Sequence, residues 1–324
     1  MRGRPTTRCS GRGCRESFKR RFSLAVVWVV AGHAVSAATP LSSSRWAASV
    51  HHTQPSLMTR IAWLTDIHLE FLHSTREIDA FSDSIVAASP DCVLIGGDTS
   101  IAPRFERDIL QLEKWVQVPI YFVLGNHDFY RGSIKQVRMI AERLTKTSQW
   151  LHWLSLEGIV ELTANTGLIG HDSWADGRLG KGIDSQVLLN DYFLIAELSN
   201  LSTEARFRQL NVLGDQAANY FQRLLPSALR RFRNVLILTH VPPFRDACWH
   251  EGSISDDEFL PHFTCKAVGD VILDLMQTHP QCIATVLCGH THGHGEATIL
   301  PNLRVKTGGA EYGQPKIQGV IVVE

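Results

Sequence analysis

The 324-residue chain is predicted to fold as an α/β domain with partly parallel, mixed β-sheets. Apolar, β-branched runs typical of buried strands recur along it, and segments with helical periodicity separate the first of these runs. Several strand-like runs without intervening helices close the chain. Crossover helices imply parallel strands, whereas a hairpin-like C-terminal run implies that the sheets are mixed.

Five predicted strands end directly in a polar motif. They cover residues 60–65, 91–95, 119–124, 234–238 and 282–288, and the motifs that follow are Asp66-Ile67-His68, Gly96-Gly97-Asp98, Gly125-Asn126-His127-Asp128, Thr239-His240 and Gly289-His290-Thr291-His292. Helices are predicted over residues 78–88, 105–115, 133–144, 202–225 and 268–278, with Pro226 ending the fourth and Pro280 beyond the fifth. A hairpin is predicted around Asn165, and tail strands over 297–300, 303–307 and 318–323.

The first two motifs are weak signals when they are taken alone. Asp66 and His68 are expected to lie on one side of a strand end, where both could reach one metal ion. The alternative is an ordinary polar strand end. Gly96-Gly97-Asp98 fits an ordinary turn equally well, but the glycines could also aim Asp98 inward to bridge two ions.

The last three motifs are more informative together. A turn explains Gly125-Asn126 but gives no reason for His127. This histidine is suited to protonating a leaving alkoxide, and Asn126 offers a neutral oxygen ligand. His240 alone is more often a hydrogen-bonded core histidine than a ligand. His290 and His292 lie two residues apart and are expected to face the same way.

Together the motifs provide three carboxylates, one amide and five imidazoles. Imidazole with carboxylate is a typical ligand set for Zn, Mn, Fe or Ni. Nine such groups exceed the needs of one ion. They suit two ions that share a bridging carboxylate, an arrangement that hydrolyses phosphate esters.

The order D-x-H, G-D, G-N-H-[DE], H and G-H-x-H resembles the calcineurin-like metallophosphoesterases over roughly residues 58–324. The runs Asp66-Ile67-His68-Leu69-Glu70-Phe71 and His127-Asp128-Phe129-Tyr130 resemble a bacterial-type branch of that superfamily. The resemblance implies the metallo-dependent phosphatase fold. This fold is a four-layer αββα sandwich of two mixed β-sheets flanked by helices, with metals at the strand ends.

The resemblance also implies a role for each motif residue. Two divalent or transition-metal ions (Mn, Fe or Zn) would share a bridging hydroxide as nucleophile, and His127 would be the general acid. The first ion would be held by Asp66, His68 and His292, and the second by Asn126, His240 and His290, with Asp98 bridging both. The protein serine/threonine phosphatases pair this acid with an Asp at the position that Ile101 occupies here. A backbone carbonyl or Asp128 is therefore expected to orient His127; the alternative is that His127 is a weaker acid.

Charge distribution favours a small substrate over nucleic acid. Residues 1–57 contain nine Lys or Arg and one Glu, which leaves 23 basic and 31 acidic side chains in the remainder. An acidic body without a basic stripe argues against nucleic-acid binding, so a nuclease of the same superfamily is the weaker alternative. A non-catalytic metal-binding scaffold is a second alternative, although such scaffolds tend to lose the acid His.

Residues 1–57 form a basic leader that is predicted to be a signal peptide or an over-extended start, and to be disordered. We favour Met58 as the start, since a strand follows at once; the protein would then be cytoplasmic. Export through a signal peptide in residues 1–38 is the alternative. The five cysteines after residue 57 are an odd number without paired spacing and predict no disulfide framework. No membrane span is predicted in the folded domain.

Two long irregular stretches, residues 171–178 and 241–269, are predicted to shape the substrate pocket. Within the second, Phe244, Trp249 and Phe263 could stack on or enclose a leaving group, and Arg245 could pair with a phosphate oxygen. His250 is a further candidate contact. The alternative is a passive surface loop that packs its own aromatic residues. Neighbouring acids would repel polyanions. The expected partner is therefore a small-molecule phosphate ester of limited charge, with monoester and diester both open.

Overall fold

The computed structural model describes residues 58–324. The predictions of a signal peptide, an over-extended start and disorder for residues 1–57 lie outside the described residues. Between Met58 and Glu324, no helix combines the length and the apolar character needed to cross a bilayer.

The first sheet has five strands and carries three of the predicted motifs. Its strands are β1 (Thr59–Leu64), β2 (Cys92–Ile95), β3 (Ile120–Phe122), β4 (Leu151–Trp153) and β13 (Gly319–Val323). They are ordered β13-β1-β2-β3-β4, with β1 to β4 parallel and β13 antiparallel to β1. The motifs that follow β1, β2 and β3 therefore lie at one edge of this sheet.

The second sheet has six strands and carries the other two motifs. Its strands are β5 (Val160–Glu161), β6 (Thr166–His171), β7 (Asn234–Thr239), β10 (Ile283–Cys288), β11 (Gly295–Leu300) and β12 (Leu303–Thr307). They are ordered β11-β12-β10-β7-β6-β5, and the central four strands are parallel. The outer strands β11 and β5 are antiparallel to their neighbours, so both sheets are mixed as predicted.

Helices cover the outer face of each sheet. They are α1 (Thr75–Ala87), α2 (Ala102–Val116), α3 (Ile134–Thr147), α4 (Leu154–Glu157), α5 (Asp191–Leu194), α6 (Thr203–Arg231), α7 (Leu260–Phe263) and α8 (Lys266–Thr278). Alternate residues of a strand enter different cores. In β1, Ile61 and Trp63 join the core shared with the second sheet, whereas Ala62 and Leu64 join the core under the first helices. This alternation produces the predicted sandwich of two sheets between helices.

Several element boundaries differ from the predictions for local reasons. Helix α1 begins at Thr75 because Ser74 and Glu77 form a capping box. The prediction that Pro226 ends α6 was wrong, because the helix continues to Arg231. Ala228 and Leu229, in the turn after the proline, are buried in the core, and this packing offsets the lost backbone hydrogen bond.

The stretch 241–269 is not irregular throughout, contrary to prediction. It contains a two-stranded ribbon of β8 (Trp249–His250) and β9 (Ser253–Ile254), followed by α7. These elements are two to four residues long and are therefore too short for periodicity to reveal. The five cysteines of the described residues are free and buried, in agreement with the absence of a disulfide framework.

Candidate metal centre and active site

The seven predicted ligands come together where the carboxyl ends of the two sheets meet. Backbone hydrogen bonds connect the loops that carry them. Asp66 N–H donates to Gly97 O at 3.0 Å, His68 N–H to Asp98 O at 3.0 Å, and Gly289 N–H to His240 O at 2.9 Å. Residues far apart in sequence are thereby held in one site.

A first group contains Asp66, His68, Asp98 and His292, whose potential ligand atoms all lie within 4.8 Å of one another. His292 Nε2 lies 3.0 Å from His68 Nε2 and 3.6 Å from Asp66 Oδ1. Asp98 Oδ2 lies 3.8 Å from His68 Nε2. Two imidazole nitrogens and two carboxylate oxygens thus face a common point, as a transition-metal ion requires.

A second group adjoins the first and contains Asn126, His240 and His290. Asn126 Oδ1 lies 2.9 Å from both His240 Nε2 and His290 Nδ1. Asp98 Oδ1 lies 3.5 Å from His240 Nε2. Asp98 therefore directs one oxygen towards each group, which is the geometry needed to bridge two ions.

Oxygen acceptors behind the imidazoles determine which nitrogen faces inward. His68 Nδ1–H donates to Glu70 at 3.2 Å, and His240 Nδ1–H donates to Gly96 O at 2.9 Å. His290 uses its Nε2–H instead, donating to His262 O at 3.0 Å. In each case the other nitrogen keeps its lone pair free for a metal ion.

Burial keeps these imidazoles in the form that binds metal. It lowers the pKa of His290 to about 3 and that of His292 to about 4, and it also lowers the pKa of His240. Burial, together with the negative charges of Asp66 and Asp128, raises the pKa of Asp98 well above its usual value. Positive charge at this point would stabilise the Asp98 carboxylate, so the donor set fits bound cations.

The backbone of the ligand loops is strained. Five of the predicted ligands have positive φ, namely Asp66 (51°), His68 (44°), Asp98 (51°), His290 (72°) and His292 (58°). Such values are uncommon outside glycine and cluster at functional sites. Strand β1 ends at Leu64, so Asp66 and His68 meet through this loop conformation and not through the predicted strand alternation.

The candidate acid His127 is oriented by Glu70, a residue that the sequence reasoning did not assign. His127 Nδ1–H donates to Glu70 Oε1 at 3.1 Å, and the same oxygen accepts from His68. Burial acts to raise the pKa of Glu70, but hydrogen bonds from His127 and His68 lower it to about 2. Glu70 is therefore an anion. The sequence signal that could have pointed to it is its position two residues after His68.

Asp128 does not orient His127, and that expectation was wrong. Its Oδ1 accepts the backbone N–H groups of Thr99 and Ser100 at 2.9 Å, and its Oδ2 accepts that of Gly125 at 2.8 Å. The Asp128 carboxylate thus accepts hydrogen bonds from three backbone donors and fixes the loops around Asp98.

A further buried carboxylate, Asp191, supports the second group from behind. Its Oδ1 accepts from Asn126 Nδ2 at 2.9 Å and from the Tyr130 hydroxyl at 2.6 Å. The first contact turns the Asn126 oxygen towards His240 and His290. The Tyr130 ring stacks on His127 with 4.1 Å between the centroids. No motif predicted Asp191, which lies 65 residues from Asn126.

A cavity of about 300 Å³ opens onto the site. Its lining comprises Asp98, Asn126, His127, Tyr130, Leu189, Asn190, Asp191, His250, Phe263, His290, Thr291, His292 and Tyr312. Of the predicted substrate contacts, His250 and Phe263 are part of this lining, whereas Phe244, Arg245 and Trp249 are not. Arg245 is exposed and pairs with Asp257 at 2.7 Å, and the Trp249 ring packs against Gly295.

The stretch 171–178 supports the site from behind the main cavity. Its Trp174 is buried and contacts Phe129, with 5.7 Å between the ring centroids. Ser173, Trp174 and Ala175 line a separate small cavity of about 10 Å³ near Asn126 and His240.

The chain is similar to several proteins of known structure. PptH, a phosphopantetheinyl hydrolase from Mycobacterium tuberculosis, matches 81% of this chain and 95% of its own with a TM-score of 0.56 and 13% identity. A dimetal phosphatase from Danio rerio matches 77% of this chain and 86% of its own with a TM-score of 0.49 and 15% identity. No curated protein sequence matches significantly. The family model described as calcineurin-like phosphoesterase matches residues 59–294, and the chain therefore belongs to this family.

Proposed function

We propose that this metal-dependent phosphoesterase hydrolyses small phosphate esters of limited charge at a two-metal centre, with His127 as general acid. The family uses two divalent metal ions. The observation that carries the assignment is Asp98, whose two oxygens face different ligand groups. The proposed ligands are Asp66, His68 and His292 in one group and Asn126, His240 and His290 in the other.

Two bound ions would polarise the phosphate oxygens and supply hydroxide from water at neutral pH. The residues of this chain position and protonate the substrate. Glu70 stabilises the positive charge of protonated His127 through the Nδ1–H bond, so that Nε2–H is left to donate to the leaving oxygen. Cleavage of the P–O bond leaves its electron pair on that oxygen, which takes the proton from His127.

The lining of the cavity supports a substrate of limited charge. Among the described residues that line it, there is no Lys or Arg, whereas Asp191 and the nearby Glu70 are carboxylates. His250 and Phe263 form the wall contributed by the stretch 241–269 and are the proposed substrate contacts from that stretch. Arg245 and Trp249 lie outside this wall and are useful as control positions.

Metal analysis with activity assays tests the proposal. We expect about two ions per chain by elemental analysis, loss of esterase activity on chelation, and recovery with Mn, Fe or Zn. Asp98→Ala should lose both ions, because it removes a ligand from each. Asp270→Ala, which removes a surface carboxylate on α8, should retain both ions and full activity. Metal-free protein whose activity resists chelators would contradict the proposal.

A second variant separates chemistry from metal binding. His127→Asn should retain both ions but lose about 10²–10⁴-fold in turnover of alkyl esters. The loss should be much smaller for nitrophenyl esters, whose leaving groups need no proton. Equal losses on both esters would remove His127 from the acid role.

The same assays address the alternatives. A nuclease would cleave single- or double-stranded DNA or RNA faster than small esters, and a scaffold would bind metal without cleaving any ester. A panel of mono- and diesters would identify the preferred class.

We further propose translation from Met58 and cytoplasmic location; a chain beginning at Met58 should be as active as the full chain. A mature N-terminus near Ala38 in an exported fraction would instead establish a signal peptide.

A further inference from the structure

Two half-exposed aromatic side chains stand beside the candidate acid. Phe71 is 40% exposed and Tyr312 is 49% exposed, and their ring centroids are 4.5 Å apart. Phe71 ends the short helix Leu69–Phe71 that carries Glu70, and Tyr312 lies between β12 and β13. We call this pair the aromatic ledge.

Tyr312 connects the ledge to the catalytic groups. Its ring centroid lies 4.8 Å from that of His68, 4.9 Å from that of His292 and 6.0 Å from that of His127. Tyr312 also belongs to the lining of the cavity. An aromatic surface therefore extends from the metal ligands to the outside, on the side of the site where the acid lies.

Packing inside the protein accounts for only part of this arrangement. The ledge covers His68, yet about half of the Tyr312 side chain still faces solvent. The Tyr312 hydroxyl forms no hydrogen bond with any residue between positions 58 and 324, so it is free to meet a ligand. Adjacent exposed aromatic rings at the mouth of a cavity are typical of a binding surface.

We propose that the aromatic ledge binds the leaving group of the substrate and selects planar leaving groups without charged substituents, such as phenols. The proposal rests on the phosphoesterase function proposed above. A leaving group must lie beside His127 to receive its proton, and the Tyr312 ring is next to that position. Among the described residues, no Lys or Arg lines the cavity to pair with a charged leaving group.

The test compares an aryl ester with a fluoroalkyl ester whose alcohols have similar acidity, so that only the shape of the leaving group differs. Metal-loaded full-chain protein should prefer the aryl ester in kcat/KM. Tyr312→Ala and Phe71→Ala should each reduce that preference about 3- to 10-fold, the usual strength of an aromatic contact. Tyr312→Phe should retain it, because the ring is kept.

A matched control is Trp115→Ala. Trp115 is 42% exposed on α2 and does not line the cavity, so its removal should leave the preference unchanged. A binding measurement that involves no turnover complements the rates. By calorimetry, phenylphosphonate should bind more tightly than methylphosphonate, and Tyr312→Ala should remove that difference while methylphosphonate binding stays the same.

The outcomes separate this proposal from the proposed function. If the wild-type protein cleaves neither ester, the proposed function fails. If it cleaves both without preference, or if Tyr312→Ala and Phe71→Ala preserve the preference, the ledge is not the selector. Thermal unfolding shows whether each variant folds. If Tyr312→Ala does not fold, Phe71→Ala provides an independent test.

Discussion

Replacing Glu70 with Gln tests how the general acid is held. The carboxylate accepts two imidazole N–H groups on one oxygen, at 3.1 Å from His127 and 3.2 Å from His68. Its second oxygen is buried without a partner in the described residues. Gln keeps the shape and one acceptor, but it removes the negative charge and places an unpaired amide donor in the buried position.

The expected loss follows from the strength of the His127 contact. A hydrogen bond to a charged group contributes about 1.5–3 kcal/mol. If that free energy serves to hold the protonated His127 ring in position for the transfer, kcat/KM on alkyl esters should fall about 10- to 140-fold, at about 1.4 kcal/mol per tenfold. Removing the partner of a metal-binding histidine also typically costs about 10–100-fold in metal affinity or activity, and Glu70 contacts His68 as well, so the effect on metal must be measured separately.

The assay measures kcat/KM across esters with leaving groups of graded acidity, together with metal content. We expect Glu70→Gln to slow poor leaving groups much more than nitrophenolate, because only the former need the acid. Metal content should fall little, since His68 keeps its inward nitrogen. Glu106→Gln, an exposed glutamate paired with Arg143, is the matched control and should change nothing.

A double variant gives the decisive comparison. If Glu70 acts through His127, then adding Glu70→Gln to His127→Asn should cost little more than His127→Asn alone. Fully additive losses, or an equal loss for every leaving group, would show that Glu70 acts through His68 and the metals instead, and the reasoning would be refuted.

Three further predictions follow from the packing. A Cβ on Gly289 would lie 1.9 Å from Asp66 Oδ2, so Gly289→Ala should weaken metal binding in calorimetry, whereas Gly319→Ala, with nothing within 4 Å, should not. Burial lowers the pKa of His262 to about 4 from 6.5, so its contribution to stability is present above pH 6.5 and is lost as the pH falls towards 4. In urea unfolding of metal-free protein, the free energy of unfolding should fall between pH 7 and pH 5, and His262→Gln should make that fall smaller by about 2 kcal/mol. Each ion, at 100 times its Kd, should stabilise the wild-type protein by about 2.7 kcal/mol and raise Tm by about 5–11 °C in calorimetry, and Asp98→Ala should lose this increase.

The cluster of candidate ligands could be predicted from sequence because each of these residues lies shortly after an apolar strand. Parallel strands bring their carboxyl ends to one edge, so motifs that are weak alone become specific as an ordered set. The fold class could be predicted as well, since apolar, β-branched runs alternate with segments of helical periodicity. The spacing of Asp66 and His68 did not reveal that they meet through left-handed backbone, because the sequence of a loop determines its conformation only weakly.

The residues that orient the ligands could not be predicted, because tertiary contacts define their roles. Asp191 precedes no motif and reaches Asn126 only after the chain has folded. His262 contributes a backbone carbonyl to His290, an atom that every residue possesses. Tyr312 sits between two late strands, where an exposed aromatic has no pattern of its own. Such partners are found from geometry and not from spacing.

The division of the ligands between the sheets explains why these orienting contacts matter. Asp66, His68, Asp98 and Asn126 follow strands of the first sheet, whereas His240, His290 and His292 follow strands of the second. Each proposed metal site therefore needs residues from both sheets. A small sliding of one sheet over the other would disrupt both groups at once, since Asp98 belongs to both. The core shared by the sheets thus fixes the ligand geometry, and ions bound there would in turn hold the sheets in register.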